Sequence, residues 1–327
     1  MTGLRFGTGA MALAALALAF AWHIAVGAKV IPLATVAEAF WGYDKTVFDH
    51  VVIRDLRLPR ALMAVAVGAG LAVAGALMQG VTRNPLADPG LLGLLAGASF
   101  AVVLGTFTGL TSPVATPVLA AVGALAAALV VWGVASAVPG GATPMTLVLA
   151  GAAVTAFLAA LTAIMLLIDE TSFEALRVWL TGTLAGRPGS AGLWAAGWLA
   201  IGLVVALGAA RQVTALAMGD EAATGLGVDV NKLRLAILAS VVALTAAAVA
   251  IAGPMGFVGL VVPHMVRLVV GYDYRVIVPA SALAGATYML IADIAARMLL
   301  APVEISTGLI TALLGAPVFV WLVRARL

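Results

Sequence analysis

Residues 89–168 read PGLLGLLAGASFAVVLGTFTGLTSPVATPVLAAVGALAAALVVWGVASAVPGGATPMTLVLAGAAVTAFLAALTAIMLLI, eighty consecutive positions between Asp88 and Asp169 without one Asp, Glu, Lys, Arg or His. A helix crosses the hydrocarbon core of a bilayer with about 20 apolar residues, so this run is several spans long. Clusters of Pro and Gly are turn signals. They interrupt it twice, at Thr111-Ser112-Pro113 to Pro117 and at Pro139-Gly140-Gly141 to Pro144. Three membrane-spanning helices follow. The rest of the chain has the same character: of 327 residues, 64% are hydrophobic and 9% charged, and the mean hydropathy is +1.18. A soluble domain carries about a quarter charged residues, so a water-soluble globular fold is excluded. Disorder is excluded by the dominance of Ala, Leu and Val.

The same test applied everywhere predicts ten spans, at 8–28, 60–80, 91–108, 114–138, 146–168, 191–210, 233–252, 257–270, 276–300 and 306–323. The eighth is short and carries Pro263 and His264, which predicts a broken or half-length helix. The apolar runs are continuous rather than alternating, and only helices or closed barrels satisfy the backbone inside lipid. The expected fold is therefore an all-α integral membrane protein forming one domain over residues 1–327. The stretch from Arg5 through Ala10 to Val26 resembles a signal peptide, but no soluble segment follows it, and a retained first span is expected. Glycines within spans, such as Gly68, Gly70 and Gly75, suit close helix packing. With the amino terminus inside, nine Lys and Arg fall inside and eight outside. Five of the eight belong to the first outer loop: Lys29, Lys45, Arg54, Arg57 and Arg60. Setting that loop aside leaves nine against three, as the positive-inside rule requires.

The net charge of +3 is a modest basic excess, not a nucleic-acid footprint. The absence of cysteine excludes disulfides and thiolate chemistry. There is no Gly-x-x-x-x-Gly-Lys-Ser/Thr motif, so the chain does not bind ATP through a P-loop. No hydrolase motif appears, and no cofactor is expected. Ionisable residues within spans are scarce, which speaks against proton coupling.

Four segments stand out. Gln79 to Gly90 forms a tight inner turn in which Asp88 before Pro89 is a helix N-cap with proline at the first helical position. Met218 to Val228 contains Glu221-Ala222-Ala223 and a glycine stop, a short helix in the longest inner loop. It is either a solvated loop helix or one that lies in a groove of another protein. Ala252-Gly253-Pro254 through Pro263-His264 to Arg267 is broken by Gly and Pro, as in helices that line a cavity. His264 there is a ligand or proton carrier, or a hydrogen-bonded structural residue. Asp293 and Arg297, four apart, share one helix face; they neutralise each other, or Arg297 recruits an external acid.

Several runs resemble one known family: Leu56-Arg57-Leu58-Pro59-Arg60, Gly75-Ala76-Leu77-Met78-Gln79, Asn84 to Gly93, Gly253-Pro254 with Gly256 to His264, and Gly315-Ala316-Pro317-Val318-Phe319. Together they look like the FecCD family, the permease subunits of ATP-binding-cassette (ABC) importers for ferric siderophores, haem and vitamin B12. The resemblance covers nearly the whole chain. It implies a type II importer permease in the cytoplasmic (inner) membrane, with helices two to five and seven to ten as an inverted repeat. The implied partners are a second permease subunit, two cytoplasmic ATPase subunits, a periplasmic or lipoprotein binding protein, and membrane lipid.

The resemblance also assigns residues. Gly219, Asp220, Glu221, Ala222, Ala223, Gly225 and Gly227 match the segment that couples to the ATPase. Arg57, Arg60 and Arg297 match outward-facing arginines that meet acidic residues on the binding protein, which accounts for the basic outer loop. Asn84 and Leu86 match one cytoplasmic gate turn and Thr143 the other. At Thr143-Pro144-Met145-Thr146 the sequence departs from the vitamin B12 permease and is similar to ferric-enterobactin-type permeases. The stretch Phe173 to Arg187 looks most like the siderophore branch. Within it Arg177 is a candidate for attracting an anionic chelate at the pathway mouth, or a partner for Glu174. The expected activity is transport of ferric siderophores without enzymatic chemistry in this chain. The alternatives are a haem or vitamin B12 permease, an ion-coupled secondary carrier and a membrane scaffold.

Overall fold

The computed structural model describes residues 2–27, 29–110, 112, 114–139, 141–187 and 189–326. Three punctuating residues, Thr111, Pro113 and Gly140, lie outside them, as does Ala28 at the end of the first expected span. In chain order the helices are α1 (Thr2–Ala25), α2 (Leu33–Trp41), α3 (Phe48–Val51), α4 (Leu58–Thr82), α5 (Leu94–Phe107), α6 (Ala115–Ala137), α7 (Pro144–Ile168), α8 (Glu170–Leu180), α9 (Gly189–Ala217), α10 (Asp220–Gly225), α11 (Val230–Ala252), α12 (Val258–Val270), α13 (Tyr274–Met298) and α14 (Thr307–Arg326). A π-helical stretch, Val52–Arg57, runs from α3 into α4, and a 3-10 turn, Pro89–Leu92, precedes α5. No strand occurs among the described residues.

Among the described residues, seven helical segments are long and apolar enough to cross a bilayer; α5, α12 and the apolar part of α14 are shorter. These ten stand at the ten expected positions. At 1.5 Å per residue, the 13 residues of α12 reach about 20 Å, short of the roughly 30 Å of hydrocarbon. The irregular stretch before it makes up the distance, with Gly253 at φ 76° and Phe257 at φ 68°. The Phe257 ring meets Phe319 of α14 edge-on, at 6.5 Å between centroids.

Helices α4 and α11 are the deepest, with 78% of the apolar window of each buried. They pack on each other, and each also packs on helices of the opposite half: α4 on α12 and α13, α11 on α5 and α6. This exchange is the arrangement an inverted repeat produces. Glycine permits the close approach of α4 to its partners. A Cβ on Gly75 would run into the Gly259 carbonyl, and one on Gly68 into that of Gly285. Without a hydrophobic drive between helices in lipid, such backbone contact is what binds them. Helix α1 packs against α13 and α4 as part of the bundle.

Candidate coupling, gate and docking sites

On the cytoplasmic side, α10 is the short helix that Glu221-Ala222-Ala223 and its glycine stop predict. Gly219 at φ 128° and Gly227 at φ 80° set its two ends. Ala223 is wholly buried and fixes the helix to the bundle. Glu221, Thr224, Gly225 and Leu226 face outward, and Ala222 is half-buried. Asp220 is partly exposed and already engaged within the chain: its carboxylate pairs with Arg83 and accepts from Arg234 Nη2 at 2.8 Å. Arg83 closes the C-terminus of α4 at φ 52°, and Arg234 is a nearly buried residue of α11. One carboxylate therefore ties α10 to α11 and, through Arg83, to the end of α4.

In that turn, Asn84 is exposed and its Oδ1 accepts from Leu86 N at 2.9 Å, a local Asx turn. Asp88 caps the next turn as expected, accepting from Gly90 N at 2.7 Å, and burial pushes its carboxyl above the usual range. Thr143 is the N-cap of α7, in a reciprocal capping box with Thr146. Helix α7 packs on the Pro89–Leu92 turn.

On the outer side the structure departs from expectation. Arg57 and Arg297 are only 7% and 6% exposed, not outward-facing. Helix α1 ends there with orphan carbonyls, and guanidinium groups satisfy them. Arg57 Nη1 donates to Ile24 O and Ala25 O, both at 2.7 Å, and Arg297 Nη2 donates to His23 O at 3.1 Å. Cations at a helix C-terminus also suit its dipole. The centre of the cluster is Asp293, which is wholly buried. It receives Arg60 through Nε at 2.9 Å and Nη2 at 3.1 Å, Thr307 Oγ1 at 2.8 Å and contacts His23 Nε2 at 2.9 Å. Arg297 Nε lies 3.5 Å from the same carboxylate, the expected i,i+4 pair. The Arg60 side chain, 14% exposed, also donates to Glu304 at 2.9 Å. The cluster thus cross-braces α1, α4 and α13 and, through Thr307, α14. The exposed cations of the first loop are Lys29, which pairs with Asp49, Lys45 and Arg54, whose guanidinium lies 4.7 Å over the Tyr43 ring.

Arg177 pairs with Glu174 at 2.7 Å on the exposed face of α8, which is the local-partner alternative. Sequence reasoning missed Arg187. Its Nε donates to Thr183 O at 3.3 Å, it stands beside Gly253, and burial lowers its pKa. Thr183 N in turn donates to Ala252 O at 2.8 Å, so this loop is fastened to the start of the broken segment. An arginine just outside an apolar span, among glycines, was the only available sign.

This architecture is that of a polytopic permease. The chain belongs to the FecCD transport family, whose model matches residues 15–325. It is 42% identical over 290 residues to the probable siderophore transport system permease protein YfiZ of Bacillus subtilis, covering 88% of this chain and 87% of that one. It is 44% identical over 306 residues to the iron(3+)-hydroxamate import system permease protein FhuB of the same organism, covering 92% and 78%. A solved structure described as an inward-facing conformation of a metal-chelate type ABC transporter superposes with a TM-score of 0.84 at 28% identity, over 99% of both chains. The protein is thus an ABC importer permease subunit, multi-pass in the inner membrane. Membership implies ATPase and substrate-binding partners.

Proposed function

We propose that this chain is one half of a dimeric permease that receives a ferric-siderophore complex from a docked binding protein and releases it to the cytoplasm. Two ATPase subunits, bound at the exposed face of α10, drive the change of access. The observation that carries the reading is the Asp220 clamp. A displacement of α10 by a partner is passed through Arg83 to the gate turn at Asn84 and Leu86, and through Arg234 to α11. Thr143 completes the gate from the second turn. Glu221, Gly225 and Leu226 form the docking face; Ala223 and Gly227 hold its shape.

The binding protein docks on the outer basic edge. Lys45 and Arg54 offer the free charge there, with Arg60 at the margin, while Arg57 and Arg297 brace the surface from beneath. At the mouth of the pathway Arg187 attracts an anionic chelate, with Arg177 on the rim.

The test is co-purification and uptake. Glu221→Arg with Gly225→Arg should abolish association with the ATPase while leaving the permease folded and dimeric. Retention of the ATPase at wild-type yield would refute the docking face. Radioactive iron supplied as a ferric siderophore should accumulate in cells carrying the complete system and not in cells carrying the double variant. Uptake of haem or vitamin B12 in place of the siderophore would overturn the choice of cargo.

A further inference from the structure

The broken segment singled out in the sequence ends at Arg267, and the reading above leaves that residue without a role. At the cytoplasmic end of α12 a hollow of about 420 Å3 is lined by polar side chains from three places: Gln79 of α4, Arg83 of the gate turn, and His264, Arg267 and Tyr274 of the last elements. No Asp or Glu among the described residues lines it. The charge of Arg83 is met by Asp220, which lies outside the hollow. Arg267 has no such counter-ion among the described residues. Its Nη2 donates to Gln79 Oε1 at 2.7 Å and to Tyr274 Oη at 3.3 Å. Its Nε is buried with no partner.

His264 stands one turn back on the same helix face. Its Nε2 is likewise buried without a partner. Gln79 is fixed in orientation because its Nε2 donates to Leu260 O at 3.1 Å and Gly259 O at 3.4 Å, which leaves its oxygen for Arg267. The guanidinium is therefore positioned by neutral groups, and its charge is unanswered. An uncompensated cation drawn away from water is costly. A planar oxyanion removes that cost by accepting two charge-assisted hydrogen bonds from one guanidinium.

We propose that this hollow is an oxyanion site, in which Arg267 and His264 hold a carboxylate or phosphate group at the cytoplasmic face. Because Pro85 and Leu86 of the turn after α4 also line the hollow, a bound anion sits against that turn. The inference is independent of the cargo: it needs only the hollow and its unmatched charge. The same chemistry is offered by a small dissolved anion and by the headgroup of an anionic phospholipid, and the experiment separates the two.

The purified permease in phosphatidylcholine nanodiscs is titrated with citrate and with inorganic phosphate by calorimetry. Saturable binding of either is expected, weakened by about tenfold or more in Arg267→Gln, in keeping with the loss of a charged hydrogen-bond donor. A second variant guards against simple misfolding. Leu268 lines the hollow and is 43% exposed, so Leu268→Glu places a carboxylate beside Arg267. That variant should melt at a higher temperature than wild type and no longer take up citrate. In phosphatidylglycerol nanodiscs, loss of citrate binding together with an Arg267-dependent rise in melting temperature identifies the lipid headgroup as the occupant. Undiminished citrate binding there identifies a dissolved anion. The proposal is overturned if neither soluble anion binds and phosphatidylglycerol gives no Arg267-dependent stabilisation, or if Leu268→Glu binds citrate as wild type does.

Discussion

Asp293 shows how a single residue decides what the outer arginines do. It is wholly buried and faces two guanidinium groups, an imidazole and a hydroxyl. Removing one member of a buried ion network strands the others, at a cost of about 3–5 kcal/mol. Asp293→Ala should therefore lower the melting temperature sharply in nanodiscs, far more than Glu304→Ala at the exposed rim. Equal, small effects would mean that the network is not holding the helices. The same geometry separates two kinds of outer cation. Arg57→Glu should destabilise the fold by uncapping α1, whereas Lys45→Glu with Arg54→Glu should leave stability alone and weaken capture of the binding protein in a salt-sensitive way. Binding kinetics at two ionic strengths, run beside thermal melts, distinguish them. Only the Asp293–Arg297 pair was legible in the sequence, through its i,i+4 spacing. His23 lies 270 positions from Asp293, and no local pattern announces such a contact. A third residue carries a pH dependence. Burial raises the Asp88 carboxyl above its ordinary value of 3.8, so the folded state holds the proton to higher pH than the unfolded chain. The associated stability is present below the ordinary value and is lost as pH rises through the raised one. Asp88→Asn keeps an oxygen to accept the Gly90 N–H and removes the charge. It should raise the melting temperature at neutral pH and flatten the decline that sets in above the ordinary carboxyl value; a lower melting temperature at neutral pH would show that the carboxylate charge is itself stabilising.

At the scale of elements, the ten apolar helices were legible because hydropathy over about 20 residues is a direct consequence of the solvent. The half-length α12 was legible from the Gly and Pro that precede it, and α10 from its charged start and glycine stop. The outer helices α2 and α3 and the π-helical stretch Val52–Arg57 were not. Their sequences are short and mixed, and what shapes them is the packing of the outer loop on α4. Helix pairing was legible only as a general surplus of glycine. The structure turns that surplus into particular contacts. Gly75→Ala places a methyl group against the Gly259 carbonyl, and overpacking of this kind costs about 1–3 kcal/mol. Gly133 on α6 has open space where a Cβ would stand, so Gly133→Ala should be neutral or slightly stabilising through helix propensity alone. Thermal melts of the two variants side by side test whether α4 and α12 are joined by backbone contact. Equal melting temperatures would deny it.

For the whole molecule, the central question is how a lipid-embedded chain without a P-loop moves cargo uphill. The two ends of the bundle differ in a way that answers it. The outer end is locked by the Asp293 network, which joins four helices. The inner end is joined to α10 through one partly exposed carboxylate, Asp220, held by Arg83 and Arg234. The pair with Arg83 is exposed on both sides and worth at most about 1 kcal/mol in stability, whereas Arg234 is 7% exposed and needs its acceptor, so the clamp is partly structural while its Arg83 arm can serve as a mechanical link. Asp220→Asn, which keeps an oxygen to accept from Arg234 but removes its counter-charge, should lower the melting temperature and leave ATPase association nearly unchanged, because Glu221, Gly225 and Leu226 remain in place. In proteoliposomes with the ATPase and the loaded binding protein, it should hydrolyse ATP while accumulating little ferric siderophore, raising the ATP consumed per molecule imported severalfold. The wild-type permease alone in the same liposomes should accumulate nothing against a gradient. A normal ratio of hydrolysis to import in Asp220→Asn would place the link between α10 and the gate elsewhere, and uphill uptake by the permease alone would remove the need for one.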